Sequence, residues 1–316
     1  MEDYPRTLQE FEDRFATEEA CREYVASLRW PNGFRCPRCG KGAAWRTARG
    51  LLRCTSCDYK TSVVAGTIFQ DSHLPLRTWF RAIWWVTSQK TGASALSLQR
   101  ILGLGSYRTA WALLQKLRRA MVRPGRGRLS GRVEVDETYV GGEEEGVRGR
   151  KTEKKALVVI AAEEDGTRIG RIRMRRVASA SKVNLHRFIL GAVEPGSVVH
   201  TDAWRSYEGL EAKGYTHEVT VLKSCEQGVD MLPRVHRAAS LLKRWLMGTH
   251  QGAVSNEHLD YYLDEFVFRF NRRTSRHRGK LFYRLLEHAV AVPPATYRSM
   301  VRHARGRRSG TPQDKG

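Results

Sequence analysis

Acidic residues are the scarce class in this chain. Of 316 residues, 33 are Asp or Glu against 55 Lys or Arg, a formal charge of +22 with a pI of about 10.2. A chain so short of negative charge suits a polyanionic partner far better than a small acidic metabolite. Long apolar runs are also missing: no stretch of about 18 apolar residues occurs, so no membrane span is predicted. The first residues are acidic and carry no apolar core segment, so no secretory signal is expected. Cysteine is sparse, six in all, yet four of the six sit in two close pairs. In a chain without export signals that usage favours metal binding over disulfides. The length leaves room for two or three domains, one with a sizeable core.

The pairs are Cys36-Pro-Arg-Cys39 and Cys54-Thr-Ser-Cys57. Each can form a tight knuckle with two thiolates facing one ion. Two knuckles joined by a hairpin give a closed, structural four-sulfur Zn²⁺ site. Gly40, Gly42 and Asp58 suit the turns, and the segment holds too little apolar sequence to fold without the metal. Arg35, Arg38, Lys41, Arg46, Arg49, Arg53 and Lys60 surround it, with Trp45 among them. Such a basic ribbon usually contacts nucleic acid.

Before the ribbon, residues 1–30 read as two short helices. Leu8, Phe11 and Phe15 share one face, and Thr17 is placed to cap the second helix, which carries Cys21, Tyr24, Val25 and Leu28 on its apolar side. After it, 74–89 is helical in pattern, with its tryptophans at core spacing. Helices at about 94–102 and 107–121 are separated by Gly103-Leu-Gly105 and started by Ser106. Helix, glycine turn, helix is the helix-turn-helix pattern. Its last helix would offer Tyr107, Arg108 and Thr109 to base edges and Lys116, Arg118 and Arg119 to phosphates.

A basic Gly/Pro linker ends at Gly131. Beyond it Val133 and Val135 alternate into Asp136, a strand delivering a carboxylate. A charged loop over 141–155, expected to be mobile, follows. Then come strands at 156–162 and 169–177, a helix at 181–190, the strand 198–201 ending at Asp202, a helix at 204–213, a strand at 216–221 and a helix at 234–247. The order βββαβαβα fits a mixed sheet of ribonuclease H-like arrangement, whose first and fourth strands lie side by side. Asp136 and Asp202 would then meet. An amphipathic helix over 255–271 follows, and 302–316 reads as a disordered basic tail. The fold class is therefore multidomain α+β: N-terminal helices at 1–30, a zinc ribbon at 31–70, a helix-turn-helix region at 71–122, a linker at 123–131, a ribonuclease H-like mixed α/β domain with C-terminal helices at 132–290, and a basic tail at 291–316.

Carboxylates are the ligands that hard Mg²⁺ or Mn²⁺ requires. Two such ions about 3.5–4 Å apart activate an attacking oxygen and stabilise a leaving one at phosphorus. Such sites usually take a third acid from the last helix, but 232–245 contains no Asp or Glu. The best-placed ligand there is His236, with Glu137, Glu226 and Glu265 as alternative third acids.

With these pieces in place the chain resembles bacterial insertion-sequence transposases of the DDE type with an N-terminal zinc ribbon and an ISXO-like catalytic domain. The resemblance rests on the two cysteine pairs, Gly66-Thr-Ile-Phe69, Val135-Asp-Glu-Thr-Tyr-Val-Gly-Gly142, His200-Thr-Asp-Ala203 and Tyr262-Leu-Asp-Glu-Phe-Val-Phe-Arg-Phe-Asn271. It implies Asp136 and Asp202 as the first two catalytic residues. The third, usually Glu or Asn on the helix holding Leu241-Leu-Lys-Arg244, falls at His236. It also implies cleavage at an element's ends, strand transfer to target DNA and double-stranded DNA as partner. A dimer or larger synaptic complex and a bacterial cytoplasmic, nucleoid-associated location go with that. A catalytically degenerate DNA-binding protein on the same fold, a repressor or relic, is the alternative; a structure-specific nuclease is a third.

Overall fold

The structure, a computed structural model, describes residues 3–123, 125–141, 155–221, 230–252 and 254–302. The loop at 142–154, Glu226 and the tail from 303 on lie outside the described residues. Packing divides the chain into two units. One takes in the described residues up to Met121 together with those from His277; the other is Val122–Arg276.

The first unit opens with helices α1 (Leu8–Arg14) and α2 (Glu18–Arg29). Thr17 caps α2 as expected, its hydroxyl accepting from the Ala20 N–H at 3.1 Å. Cys21 is fully buried in the core, but Leu8 is 54% exposed rather than on the shared face. Short strands β1 (Ala44–Arg46), β2 (Leu52–Cys54) and β3 (Lys60–Thr61) make the antiparallel ribbon. Helices α3 (Leu76–Ser88), α4 (Ala95–Leu102) and α5 (Tyr107–Ala120) follow. Gly103, at φ +61°, stops α4, and Ser106 caps α5.

The second unit is built on one five-stranded sheet. Its elements are β4 (Arg132–Val140), β5 (Ala156–Asp165), β6 (Arg168–Val177), α6 (Lys182–Ala192), β7 (Val198–Asp202), β8 (Thr216–Thr220), α7 (Pro233–His250) and α8 (Leu259–Phe270). The strand order is β6-β5-β4-β7-β8, antiparallel through the β4–β5–β6 meander and parallel from β4 through β7 to β8. This is the expected ribonuclease H-like mixed sheet, with the first and fourth strands adjacent. Alternation along each strand makes two cores. Val133, Val135, Val159, Ala161 and Val199 pack on Leu185 and Ile189 of α6. Val158, Ile160, Ala162 and Ile172 pack on Leu242 and Leu246 of α7 and Leu263 and Phe266 of α8. Each fully buried large apolar side chain contributes about 1.5–3 kcal/mol.

Three further expectations fail. The helix read at 204–213 is instead a pair of 3₁₀ turns, Arg205–Tyr207 and Glu211–Lys213. Gly209 lies between them at φ +82°, a left-handed conformation that breaks a helix. The segment up to 290 does not stay with the sheet: α9 (Arg278–Ala291) packs in the first unit, where Phe282 lies 5.4–5.8 Å from the rings of Phe11, Phe15, Phe80 and Trp84. A Cβ at position 279 would come 1.6 Å from the Pro5 carbonyl oxygen, so glycine is required where α9 starts. Residues 297–302, expected in the tail, form α10 (Tyr297–Arg302). Among the described residues, no helix is long and apolar enough to cross a membrane.

Candidate active site and metal-binding ribbon

The ribbon brings all four cysteines together, their sulfurs within 4.8 Å of one another. Cys36 and Cys57 are 3.6 Å apart at sulfur, as are Cys39 and Cys54. Sulfurs tetrahedrally arranged about zinc at about 2.3 Å stand about 3.8 Å apart, so the donor set fits that ion. Gly40 and Asp58, each directly after a pair, take φ +73° and +58° and close the knuckles. Burial raises the Cys36 thiol, but the backbone N–H groups of Cys39 and Arg38 outweigh it and hold the group down at about 7. Donors turned on the sulfur in this way are those of a thiolate cradle.

In the second unit, parallel pairing sets the acids. The β4–β7 ladder runs Arg132 to Val198, Val133 to Val199 and Glu134 to His200. Two residues on, at matching places, come Asp136 and Asp202. Burial raises the Asp136 carboxyl, and the Asp202 charge adds to the rise; the Glu137 backbone N–H and His236 oppose it. His236, in the first turns of α7, reaches Asp136. Its Nε2 lies 3.2 Å from Asp136 Oδ2, and its Nδ1 lies 2.5 Å from Asp230 Oδ1. Asp202 Oδ1 accepts from the Trp204 N–H at 3.0 Å, and the Trp204 indole donates to the Ala180 carbonyl at 3.2 Å.

Of the alternative third acids, the two among the described residues, Glu137 and Glu265, do not join them. Glu137 points to the other face of β4, where it accepts from the buried Tyr207 hydroxyl at 2.8 Å. Burial, followed by Glu137, Asp136 and Asp202, pushes that phenol well up. Glu265 is fully buried on α8 and takes the Arg269 guanidinium at 2.9 Å.

Sequence reasoning missed what fixes His236. Helix α7 starts at Pro233 and has no side-chain cap of its own. Glu134, fully buried and two residues before Asp136 on the same face of β4, supplies one from a distance. Its Oε2 accepts the N–H groups of Arg234 and Val235 at 2.7 and 3.0 Å, and its Oε1 takes Arg234 Nη1 at 2.8 Å. A carboxylate there satisfies orphan donors and meets the positive end of the helix dipole. Glu134, Glu164 and His200 also offer ligand atoms within 4.8 Å of one another, a spacing suited to a metal ion. The Arg234 guanidinium already bridges both carboxylates, reaching Glu164 at 3.4 Å, so an ion there would have to displace it. The period-2 position of Glu134 relative to Asp136 was the available signal.

The helix-turn-helix candidates separate. Tyr107 is 55% exposed. The Arg108 guanidinium is exposed but stacks 4.0 Å from the Tyr297 ring of α10. Thr109 bonds its hydroxyl to that of Ser106 at 2.9 Å, inside the cap. Lys116 is half-buried, 5.8 Å from the Trp79 ring, and burial lowers its ammonium. Arg119 is half-buried. Arg118 is only 1% exposed, which removes it as a phosphate contact: it lies on the inward stripe with Leu114 and Leu117.

Comparison with known proteins follows the same division. Residues 128–271 match the family described as the ISXO2-like transposase domain, and residues 16–60 match the transposase zinc-ribbon domain. Over 291 residues the chain is 30% identical to a Halobacterium salinarum protein described as "Uncharacterized protein in transposable element ISH50", covering 84% of this chain and 94% of that one.

Proposed function

Since the chain belongs to the ISXO2-like transposase family, we propose that it binds the terminal inverted repeats of an insertion sequence and catalyses metal-dependent cleavage and strand transfer at their ends. Asp136 and Asp202 would hold Mg²⁺ or Mn²⁺. Two partly buried carboxylates at matching places on adjacent strands form a hard-oxygen donor set, and a divalent cation relieves their repulsion. When bound, the ions activate the attacking oxygen and stabilise the leaving one in an in-line displacement at phosphorus. Asp230 fixes one ring nitrogen of His236 and so turns Nε2 toward the acids, where it can ligate metal or move a proton. The observation that carries the reading is the place of Asp136 and Asp202 at matching positions on adjacent strands, with His236 Nε2 3.2 Å from Asp136 Oδ2.

The four ribbon thiols would hold structural Zn²⁺. Ribbon and helix-turn-helix would contact the element's ends through Tyr107, Arg108 and the basic residues around the ribbon. Two ends per element call for a dimer or larger synaptic complex. Its substrate would place the protein in the cytoplasm, with the nucleoid.

The test is a cleavage and strand-transfer assay on a duplex carrying the element's ends with Mg²⁺ or Mn²⁺. Wild type should cut and join. Asp136→Ala and Asp202→Ala should bind the ends but lose roughly a thousandfold or more in rate. His236→Ala should lose about a hundredfold. The missing acid on α7 favours a second reading, a DNA-binding repressor or relic. Tight end binding by wild type without cleavage in either metal would establish that reading instead.

A further inference from the structure

The basic linker is not a free tether. Arg173 on β6 is 7% exposed, and its guanidinium donates to the Gly127 carbonyl at 2.7 Å and the Ile172 carbonyl at 3.0 Å. Arg171 donates to the Arg128 carbonyl at 3.0 Å while pairing with Glu163 at 2.8 Å. Gly127 and Arg128 are thus strapped to the edge strand of the sheet beside Arg126, with Arg126 and Arg128 exposed. Ile172 and Met174 turn toward the α7–α8 core, so Arg171, Arg173 and Arg175 share the opposite face. Arg175 is exposed there as well.

Arginines outnumber acids in this place: Arg126, Arg171, Arg173 and Arg272 lie near Glu163 and Glu194. Burial brings the Arg173 guanidinium down to about 10, and Arg126, Arg171 and Arg272 push the same way, with Glu163 opposing. Glu163 is already engaged by Arg171 and by the Ser130 N–H at 2.9 Å. Like charges held this close around a desolvated guanidinium favour a polyanion laid over them.

We infer that the 126–128 strap and the exposed arginines of β6 form a sequence-independent contact for the phosphodiester backbone of duplex DNA, separate from the ribbon and the helix-turn-helix. The inference rests on DNA being the partner. The contact takes phosphate oxygens of either source, an element end or other duplex, because arginine at a backbone reads charge and not base identity.

The test is the salt dependence of binding, measured by fluorescence anisotropy without divalent metal, on one duplex bearing the element's ends and one unrelated duplex. The Arg126→Ala/Arg128→Ala double variant removes two exposed charges and leaves Arg173 in place. Each lost phosphate contact flattens the slope of log affinity against log salt by about 0.9, so two flatten it by about 1.8. The loss of affinity between 50 and 200 mM salt should then shrink by about tenfold on both duplexes. Arg126→Lys/Arg128→Lys, which keeps the charges, should restore the slope. An unchanged slope on both duplexes overturns the inference, and so does a change confined to the end-bearing duplex. No cleavage is scored, so an inactive catalytic site would leave this measurement intact; a wild type with no affinity for DNA would instead sink the reading beneath it.

Discussion

The four ribbon thiols come from 22 consecutive residues, Cys36 to Cys57, whereas Asp136 and Asp202 are 66 positions apart and His236 stands 34 further on. In the ribbon, two tight knuckles and one hairpin suffice, so spacing alone specifies the site. The acids depend on a parallel strand pair, and the histidine on a helix end held by a residue outside the helix. The donor chemistry differs to match. Four soft thiolates would close around one ion, while oxygen ligands would leave positions open for a substrate. The expectation is that metal makes the ribbon's fold but is only added to the fold of the acid site.

Breaking the ribbon should therefore give the largest effect. It has three strands, two of three residues and one of two, and little apolar core. Structural zinc in such modules contributes roughly 10–16 kcal/mol of binding free energy, which is folding free energy. Cys39→Ser should drop zinc content from one per chain to near none by elemental analysis. The ribbon's amide protection in hydrogen exchange should go with it, while the sheet core of the second unit stays protected. A variant that keeps both zinc and protection would contradict the assignment of the four sulfurs.

What the sequence revealed follows the same line between local and distant. The cysteine pairs and the Thr17 and Ser106 caps are local signals, and each has its counterpart in the structure. Helix α9 was legible too, through Leu281, Phe282, Leu285, Leu286 and Ala289 at helical spacing, but the arginine run before it drew attention to charge. The placing of α9 was not legible, because it depends on rings contributed from Phe11 to Trp84. Arg118 looked like a phosphate contact because charge on a helix usually faces water, whereas its position falls on the buried stripe. Glu134 was hidden for a related reason: a buried acid is visible as a cap only once its helix is seen to end on it.

That cap has a twin. Glu18 accepts the N–H groups of Leu76 and Arg77 at 2.9 and 3.1 Å, at the start of α3, another helix without a side-chain cap of its own, its N-cap being Pro75. Glu18→Gln and Glu134→Gln should each cost about 1–2 kcal/mol in denaturant unfolding. Only Glu134→Gln should also slow cleavage, by roughly tenfold, because the α7 turn it holds carries His236. Equal losses of cleavage in both variants would reduce Glu134 to a stability residue.

The smallest effect tests whether the acid site is folded before its metal arrives. Burial and Asp202 raise the Asp136 carboxyl above its ordinary value of 3.8. The folded chain therefore holds that proton to a higher pH than the unfolded chain does. This favours folding below the unfolded value, and the advantage is lost as pH rises through the folded one. At neutral pH the metal-free protein carries an ionised, partly buried carboxylate, and Asp136→Asn should stabilise it by on the order of 1 kcal/mol while abolishing cleavage. At a pH below 3.8 the difference should vanish, since both side chains are then neutral. Adding Mg²⁺ or Mn²⁺ at ten times its dissociation constant should stabilise wild type by about 1.4 kcal/mol and the Asn variant much less. Thermal melts with zinc retained and divalent metal varied separate these outcomes. A wild type that unfolds when Mg²⁺ or Mn²⁺ is withheld would mean that the acid site, like the ribbon, is made by its ion, and the contrast between the two centres would fail.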